Sequence, residues 1–386
     1  MTLPPSPLSG LATAGPVALE RWFADHGAPP RLDLARSGAP ALSVGGLLAM
    51  AAGDASLATL LDTPLDYGEG AGSHALREAI AAAGAARHGG EVLVTHGAVE
   101  ALLLACAAVV GQRRRVLVGV PAYEALLRTP AAVGAEVVCV PVWRAGSAAL
   151  DLDELSDRID HHVAAVLVNS PENPTGAVAA AADLDALATR CAEMGAVLIV
   201  DEVALGTLDA AARSACAGAA YAHGAVVTIG DVSKAYGLGG LRVGWLTAAA
   251  TPLRAAATAA KDLTTVANAA TSELLATSAL RHRGQLVGGV RETARANLRA
   301  LCEWVAVHPD RASLTPPGDG LVAFPRMPGA ATPHAVARLR REHGVALVPG
   351  SLFGAGEHVR IGLGLAPHLF TEALDRVDAA LRSPAG

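Results

Sequence analysis

Rings are scarce in this chain. Aromatic residues make up 3% of its 386 positions, four each of Phe, Trp and Tyr. A ring standing beside a polar motif is therefore more telling than usual. Long apolar runs are missing too. Hydrophobic residues reach 52%, yet no stretch approaches the roughly 18 uninterrupted apolar residues of a membrane span, because Gly, Arg, Glu or His interrupts each one. There is no basic excess: the net charge of −6 removes the electrostatic argument for a nucleic-acid partner. The Arg113-Arg114-Arg115 run is short and reads as a solvated turn before a strand. Five cysteines (Cys106, Cys139, Cys191, Cys216 and Cys302) are scattered and form no C-x-x-C pair. Four of them lie in Ala/Val/Leu-rich surroundings and are expected to be core thiols in a reducing compartment. Met1 to Pro16 lacks the basic start and apolar centre of a signal peptide. We expect a cytoplasmic protein with a loose N-terminal arm and no membrane contact.

What the chain does have is alternation. Short apolar strands are expected at Val92–Thr95, Val116–Val120, Glu136–Pro141, Ala164–Asn169, Ala196–Asp201 and Ala225–Gly230. Between them fall helical segments, Ala75–Ala86, Val99–Val110, Tyr123–Val133 and Ala180–Met194, and an amphipathic stretch, Asp151–Ile159. Short apolar strands spaced by helices predict a mostly parallel sheet covered on both faces. From about Asp262 the pattern changes. One long helix is expected over Ser272–Val307, then a Pro/Gly turn at Pro316–Gly320 and a strand at Leu321–Phe324. A helix at Pro333–His343, strands at Val345–Val348 and His358–Leu363, and a terminal helix at Pro367–Leu381 follow. The expected fold class is α/β. A large domain over 46–262 joins a smaller α+β domain built from 263–386 and the N-terminal segment 1–45.

In a doubly covered parallel sheet, ligands bind outside the carboxyl ends of the strands. The polar motifs of this chain fall at those ends. Lys234 sits in Ser233-Lys234-Ala235-Tyr236-Gly237-Leu238-Gly239-Gly240-Leu241-Arg242. Lysine is the residue that joins an aldehyde as a Schiff base, once it has lost its proton. The glycines allow backbone to pass close to a bulky ligand, and Arg242 has the fork that suits a phosphate. Gly97-Ala98-Val99 opens a helix directly after a strand, where free N–H groups form an anion site. Tyr123 follows Pro121-Ala122 and could lie against a flat ring. Asn173 is held in Asn169-Ser170-Pro171-Glu172-Asn173-Pro174-Thr175-Gly176 by two prolines and can donate to a phenolate oxygen. Asp201 ends a buried strand, which is costly unless it meets a cation. A protonated pyridine nitrogen is such a cation. Arg360 lies on a late strand and has the bidentate geometry for a carboxylate. His161-His162 read as solvent-facing, and Trp245 and Trp304 as core.

These residues, in this order and approximate spacing, resemble fold-type I pyridoxal-phosphate enzymes, specifically class I/II aminotransferases, from about Tyr67 to the C-terminus. The resemblance implies an aminotransferase-like three-layer large domain and pyridoxal 5'-phosphate as cofactor, with an amino acid as substrate. It implies Lys234 as Schiff-base lysine and proton shuttle, Asp201 on the pyridine nitrogen, Asn173 on the ring oxygen and Tyr123 stacking. Arg242, Ser233 and the Gly97-Ala98-Val99 helix opening would hold the phosphate, and Arg360 with Asn173 the substrate carboxylate. Tyr67, followed by Gly72 and Leu76-Arg77, matches a pattern that reaches a neighbouring subunit's site in that family, which implies a homodimer.

Three positions depart from the family pattern. Ala204 stands where a tyrosine commonly bonds the ring oxygen. Val99 replaces a common phosphate hydroxyl, and Asp231 another. A carboxylate about 4 Å from a phosphate charge costs roughly 4 kcal/mol at an effective dielectric of 20. Asp231 should therefore turn away, pair with Arg242, or meet a cation such as Lys261. Leu19-Glu20-Arg21-Trp22, Ser37-Gly38 and Thr95-His96-Gly97 resemble the capreomycidine-synthase-like branch, whose members eliminate a side-chain group and close a ring. We therefore expect chemistry at the α-carbon followed by β- or γ-elimination with replacement, addition or cyclisation. Conventional amino-acid transamination is the alternative.

Overall fold

The computed structural model describes residues 14–51, 56–209 and 211–382. Most of the expected N-terminal arm lies outside these residues. The strands in chain order are β1 (Leu32–Asp33), β2 (Val92–Thr95), β3 (Arg115–Val120), β4 (Glu136–Pro141), β5 (Val163–Asn169) and β6 (Val197–Asp201). They continue as β7 (Val226–Asp231), β8 (Gly244–Ala248), β9 (Val322–Ala323), β10 (Val345–Ala346), β11 (Val348–Pro349) and β12 (Val359–Gly362).

Seven of them form one sheet in the order β2-β8-β7-β6-β5-β3-β4. Its pairs are parallel except where β8 lies antiparallel between β2 and β7. Because β8 is reversed against both neighbours, β2 runs in the same direction as β7. The carboxyl ends of β2, β3, β5, β6 and β7 thus meet along one edge. Alternate residues supply the two faces. Val116, Val118, Ala165, Leu167, Ile199, Val227 and Ile229 pack under the helix Ala98–Val109. Leu117, Val166, Val168, Leu198 and Val200 pack against the helix Ala181–Met194. All seven residues of β5 are buried, as expected for a strand covered on both sides.

The C-terminal part builds its own core. The three-stranded sheet β11-β12-β9 packs against the helices Arg283–Val307, Pro333–His343 and Pro367–Arg382 through Leu301, Val336, Ile361, Phe370 and Val377. The N-terminal segment joins it, since β1 pairs in parallel with β10. Gly362 makes this possible: a Cβ there would lie 1.8 Å from the Arg36 carbonyl oxygen, while its N–H donates to Leu34 O at 2.7 Å.

Several expectations are corrected. The long helix is two, Ala270–Arg281 and Arg283–Val307, broken at His282 (φ −98°, ψ 18°). The first packs on the helix His74–Ala82 and the second on the terminal helix, so one straight rod could not serve both partners. Strand β8 carries no strong strand signal in Gly-Trp-Leu-Thr-Ala and was not expected. The stretch Asp151–Ile159 holds only a five-residue helix, Asp153–Asp157. Three of the five cysteines are buried; Cys139 is exposed and Cys302 half-buried. His161 and His162 are exposed, and Trp245 and Trp304 are buried. Among the described residues, no helix is long and apolar enough to cross a membrane.

Candidate active site

A cavity of about 950 Å³ opens at the carboxyl edge of the large sheet, where the smaller unit meets it. Ala98, Val99, Tyr123, Asn173, Asp201, Ser233, Lys234, Arg242 and Arg360 all line it. Gly97 stands just behind. Ala98 and Arg360, 262 positions apart, meet here: strand ends of the large sheet bring most of the set, and β12 of the smaller sheet brings Arg360.

Lys234 follows β7 by three residues. The segment before the helix Val44–Met50 lies over it: Ala39 N donates to Lys234 O at 2.8 Å, and a Cβ on Gly38 would lie 3.4 Å from Lys234 Cα. Burial pushes the Lys234 amine below the usual lysine range; Asp231 opposes this and Arg360 reinforces it. A lysine that sheds its proton easily is what nucleophilic amine chemistry requires.

Asp201 ends β6. Its Oδ1 accepts the Val203 N–H at 3.1 Å, and burial raises its pKa to about 6, with Asp231 adding to the effect. It is a half-buried acid at a strand end with no cationic side chain bonded to it. Asn169, at the end of β5, positions its neighbours. Its Nδ2 donates to Asp201 O at 3.0 Å, and its Oδ1 accepts the Asn173 N–H at 2.7 Å. Asn173 Oδ1 in turn accepts from Arg360 Nη1 at 3.0 Å. Arg360 Nη2 donates to Ala35 O at 2.8 Å, and its guanidinium lies 5.4 Å above the Phe353 ring. Its Nε is buried without a partner. Burial lowers Arg360 to about 10, so it stays charged near neutrality.

The other end of the cavity is a cradle for an anion. Gly97 (φ +86°) caps the helix Ala98–Val109, and a Cβ there would lie 2.2 Å from Arg242 Nη2. Only glycine lets the guanidinium come so close. Arg242 itself has φ +52°, a left-handed conformation that a non-glycine residue adopts under strain and that concentrates at functional sites. Its Nη1 donates to Gly239 O at 3.0 Å and its Nη2 to His96 O at 3.3 Å. Ser233 Oγ is buried without a partner. A helix N-terminus, an arginine and an orphaned hydroxyl fit a phosphate.

Asp231 turns to the backbone: its Oδ1 accepts the Ser233 N–H at 2.8 Å, and burial raises its pKa. It forms no ion pair with Arg242. Lys261 is engaged elsewhere, donating to Gly70 O at 2.8 Å, Val94 O at 2.7 Å and Asn268 Oδ1 at 3.1 Å. Tyr67 does not reach this cavity; it is 88% exposed. Ala204 lines the wall, leaving the place of the common tyrosine open.

Two acids on the wall escaped notice as site residues. Glu172 is buried and bonded by the Thr175 hydroxyl, and burial raises it to about 8. Glu20, from the helix Ala18–His26, accepts the Tyr123 hydroxyl at 2.7 Å. Both lie inside segments already singled out, Asn169–Gly176 and Leu19–Trp22, but nothing in the residue order assigns either a role, and only the folded arrangement places them on the cavity wall.

A model of the family "Aminotransferase class I and II" matches residues 50–377. Capreomycidine synthase of Streptomyces vinaceus is 31% identical over 365 residues, 92% of each chain. A probable N-succinyldiaminopimelate aminotransferase of Mycobacterium tuberculosis is 30% identical, covering 97% of this chain and 93% of its own. Among solved structures, the PLP-dependent cyclase OrfR is 33% identical with a TM-score of 0.85, over 95% of this chain and 97% of its own. An aminotransferase from Streptococcus suis, at 24% identity and a TM-score of 0.87, shares the fold. By the match over residues 50–377 the chain belongs to the class I and II aminotransferase family and is an enzyme that uses pyridoxal 5'-phosphate.

Proposed function

We propose that the enzyme removes the α-proton of an amino acid, expels a β- or γ-substituent and closes or replaces at that position, rather than transaminating. The observation carrying this is likeness over nine-tenths of each chain to capreomycidine synthase and to a PLP-dependent cyclase. The departures at Ala204, Val99 and Asp231 agree with it. The similarity to the Mycobacterium tuberculosis aminotransferase keeps transamination as the second reading.

In this reading Lys234 holds the cofactor aldehyde and then carries the proton at the substrate's α-carbon. When bound, pyridoxal phosphate supplies the electron-accepting ring that makes this proton acidic. Asp201 would face the ring nitrogen and favour its protonated form, Asn173 would donate to the ring oxygen and Tyr123 would cover the ring. The N–H groups of Ala98 and Val99, the Ser233 hydroxyl and Arg242 take the phosphate. Arg360, steadied by Asn173, takes the substrate's α-carboxylate. The smaller unit, which we draw from residues 1–45 and 263–386, would thus bring the carboxylate site to a large domain of residues 46–262.

We also read the molecule as a homodimer. Leu65, Tyr67 and Leu263 are 93%, 88% and 89% exposed, an apolar set that invites a second copy, and Tyr67 would complete the partner's site. Sedimentation of a monomer at micromolar concentration would remove this part. For the reaction, the enzyme is mixed with β- and γ-substituted amino acids while absorbance and released products are followed. Stoichiometric conversion to pyridoxamine phosphate with a keto acid would overturn elimination in favour of transamination.

A further inference from the structure

We propose that Asp319 is a positioning residue for the reaction: it clamps the loop after β6 and so aims Asp201 at the cofactor's ring nitrogen. The proposal rests on the reading above that Asp201 serves that nitrogen, and adds what holds it there.

Asp319 lies in the turn Pro316–Gly320, just before β9, and is 1% exposed. A buried carboxylate is costly unless its oxygens find donors. Here three donors come from the loop that leaves β6. Oδ2 accepts the Gly206 N–H at 2.5 Å, and Oδ1 accepts those of Leu208 at 2.6 Å and Asp209 at 3.1 Å. N–H bonds to a carboxylate are of the strong kind. The helix Arg283–Val307 adds a fourth contact, from Arg291 Nη2 to Gly206 O at 2.7 Å. Leu208 joins the core of the smaller unit together with Leu321. The smaller unit thus holds this loop by its N–H groups, a carbonyl and an apolar side chain at once.

The grip reaches Asp201 through the backbone. Leu205 N–H donates to Glu202 O at 2.9 Å, closing a turn that fixes the Val203 N–H. That N–H is the donor to Asp201 Oδ1, at 3.1 Å. Asp201 therefore takes its aim from a loop whose far end Asp319 holds. Ala204, in the middle of this loop, has no polar group with which to anchor it in the cavity, so the task falls to the clamp. The same turn is pinned to the segment that carries Asn173: Gly318 and Asp319 donate their N–H groups to Gly176 O at 2.9 and 3.2 Å. Gly320 (φ +96°) lets the turn close on the cavity wall, since a Cβ there would lie 3.3 Å from Pro171 Cβ and 3.8 Å from Ala204 Cβ. One residue beyond Leu321, β9 pairs with β12, the strand of Arg360. Misplacing a reacting group by about 1 Å can cost about 10²-fold in rate, and a support that ties these segments together prevents it.

The test compares Asp319→Ala, Asp319→Asn and Arg291→Met with Asp201→Asn. Asp319→Asn keeps one oxygen and turns the other into a donor facing an N–H; should Asp319→Ala not fold, it and Arg291→Met carry the test. In apo-protein, amide hydrogen exchange at Gly206, Leu208, Asp209 and Val203 should speed by about tenfold or more in the Asp319 variants, while Leu198 and Ile199 in β6 keep their protection. In holoenzyme, the pH midpoint of the cofactor's visible band should move by about 0.5 unit or more, in the same direction as in Asp201→Asn. At saturating cofactor, kcat should fall by about tenfold or more with KM within about threefold. Arg291→Met should act in the same direction and more weakly. A lowered unfolding midpoint with band, kcat and Val203 exchange all as in wild type is the mark of a merely structural contact, and overturns the clamp alone. An Asp201→Asn band that does not move overturns the ring-nitrogen reading and the clamp together.

Discussion

Replacing Asp201 by Asn should stabilise the cofactor-free protein while crippling cofactor binding. Asp201 is enclosed at a strand end, with one N–H bond from Val203 at 3.1 Å and a second acid, Asp231, adding to its discomfort. Its folded pKa is raised to about 6, against about 3.9 for an exposed aspartate. That is a little over a hundredfold in proton affinity, or about 3 kcal/mol at about 1.4 kcal/mol per tenfold. The sign follows from linkage. The folded state holds this proton more tightly than the unfolded chain. The destabilisation is therefore nearly absent below the unfolded value, grows as pH rises, and is complete above about 6. Asn keeps the acceptor for Val203 and removes the charge. Urea unfolding of apo-protein should show Asp201→Asn more stable by up to about 3 kcal/mol at pH 8 and by well under 1 kcal/mol near pH 4. With cofactor present the order should reverse, because the ring nitrogen no longer meets a carboxylate and the binding contribution to stability shrinks. An apo-protein no more stable than wild type at pH 8 would refute the claim that Asp201 is held strained for a cation.

Other outcomes are as specific. Lys234→Ala should lose the cofactor's visible band and all turnover while its far-ultraviolet circular dichroism and unfolding midpoint stay near wild type. Gly97→Ala should weaken cofactor affinity by tenfold or more, measured by fluorescence quenching, because its Cβ would sit 2.2 Å from Arg242 Nη2; pyridoxal lacking the phosphate should be affected far less. Arg360→Lys should raise KM for amino acids by roughly 10²-fold through loss of a bidentate charged contact, with kcat changed less. Ala204→Tyr should add a donor at the ring oxygen and lower the pH at which the visible band titrates, read by absorbance from pH 5 to 10.

Much of the site was legible before folding because its chemistry is local. A lysine among glycines, an acid closing the strand Val197–Asp201, and an asparagine between prolines each carry their signal within a few residues. The strand-helix alternation then predicts that they share one sheet edge, and they do. Arg360 was legible too, through its place in a late strand. Less legible was anything set by packing between distant segments. The break at His282 exists because the two halves of that stretch serve different partners. Strand β8, Gly244–Ala248, is held by antiparallel pairing with both β2 and β7, partners far from it in sequence order or reversed in direction.

The sequence by itself thus determined the layered α/β architecture, which follows from hydrophobic period, and, through its resemblance to a known family, the cofactor. Tertiary structure alone decided the fate of the charges. It turned Asp231 to the Ser233 backbone instead of to a cation, engaged Lys261 with two carbonyls and Asn268, and brought Glu20 from the N-terminal helix onto Tyr123, 103 residues away. The physical reason is that a charged side chain settles by the partners and solvent within a few ångströms, and those neighbours are chosen by the fold and not by the residues beside it in the chain.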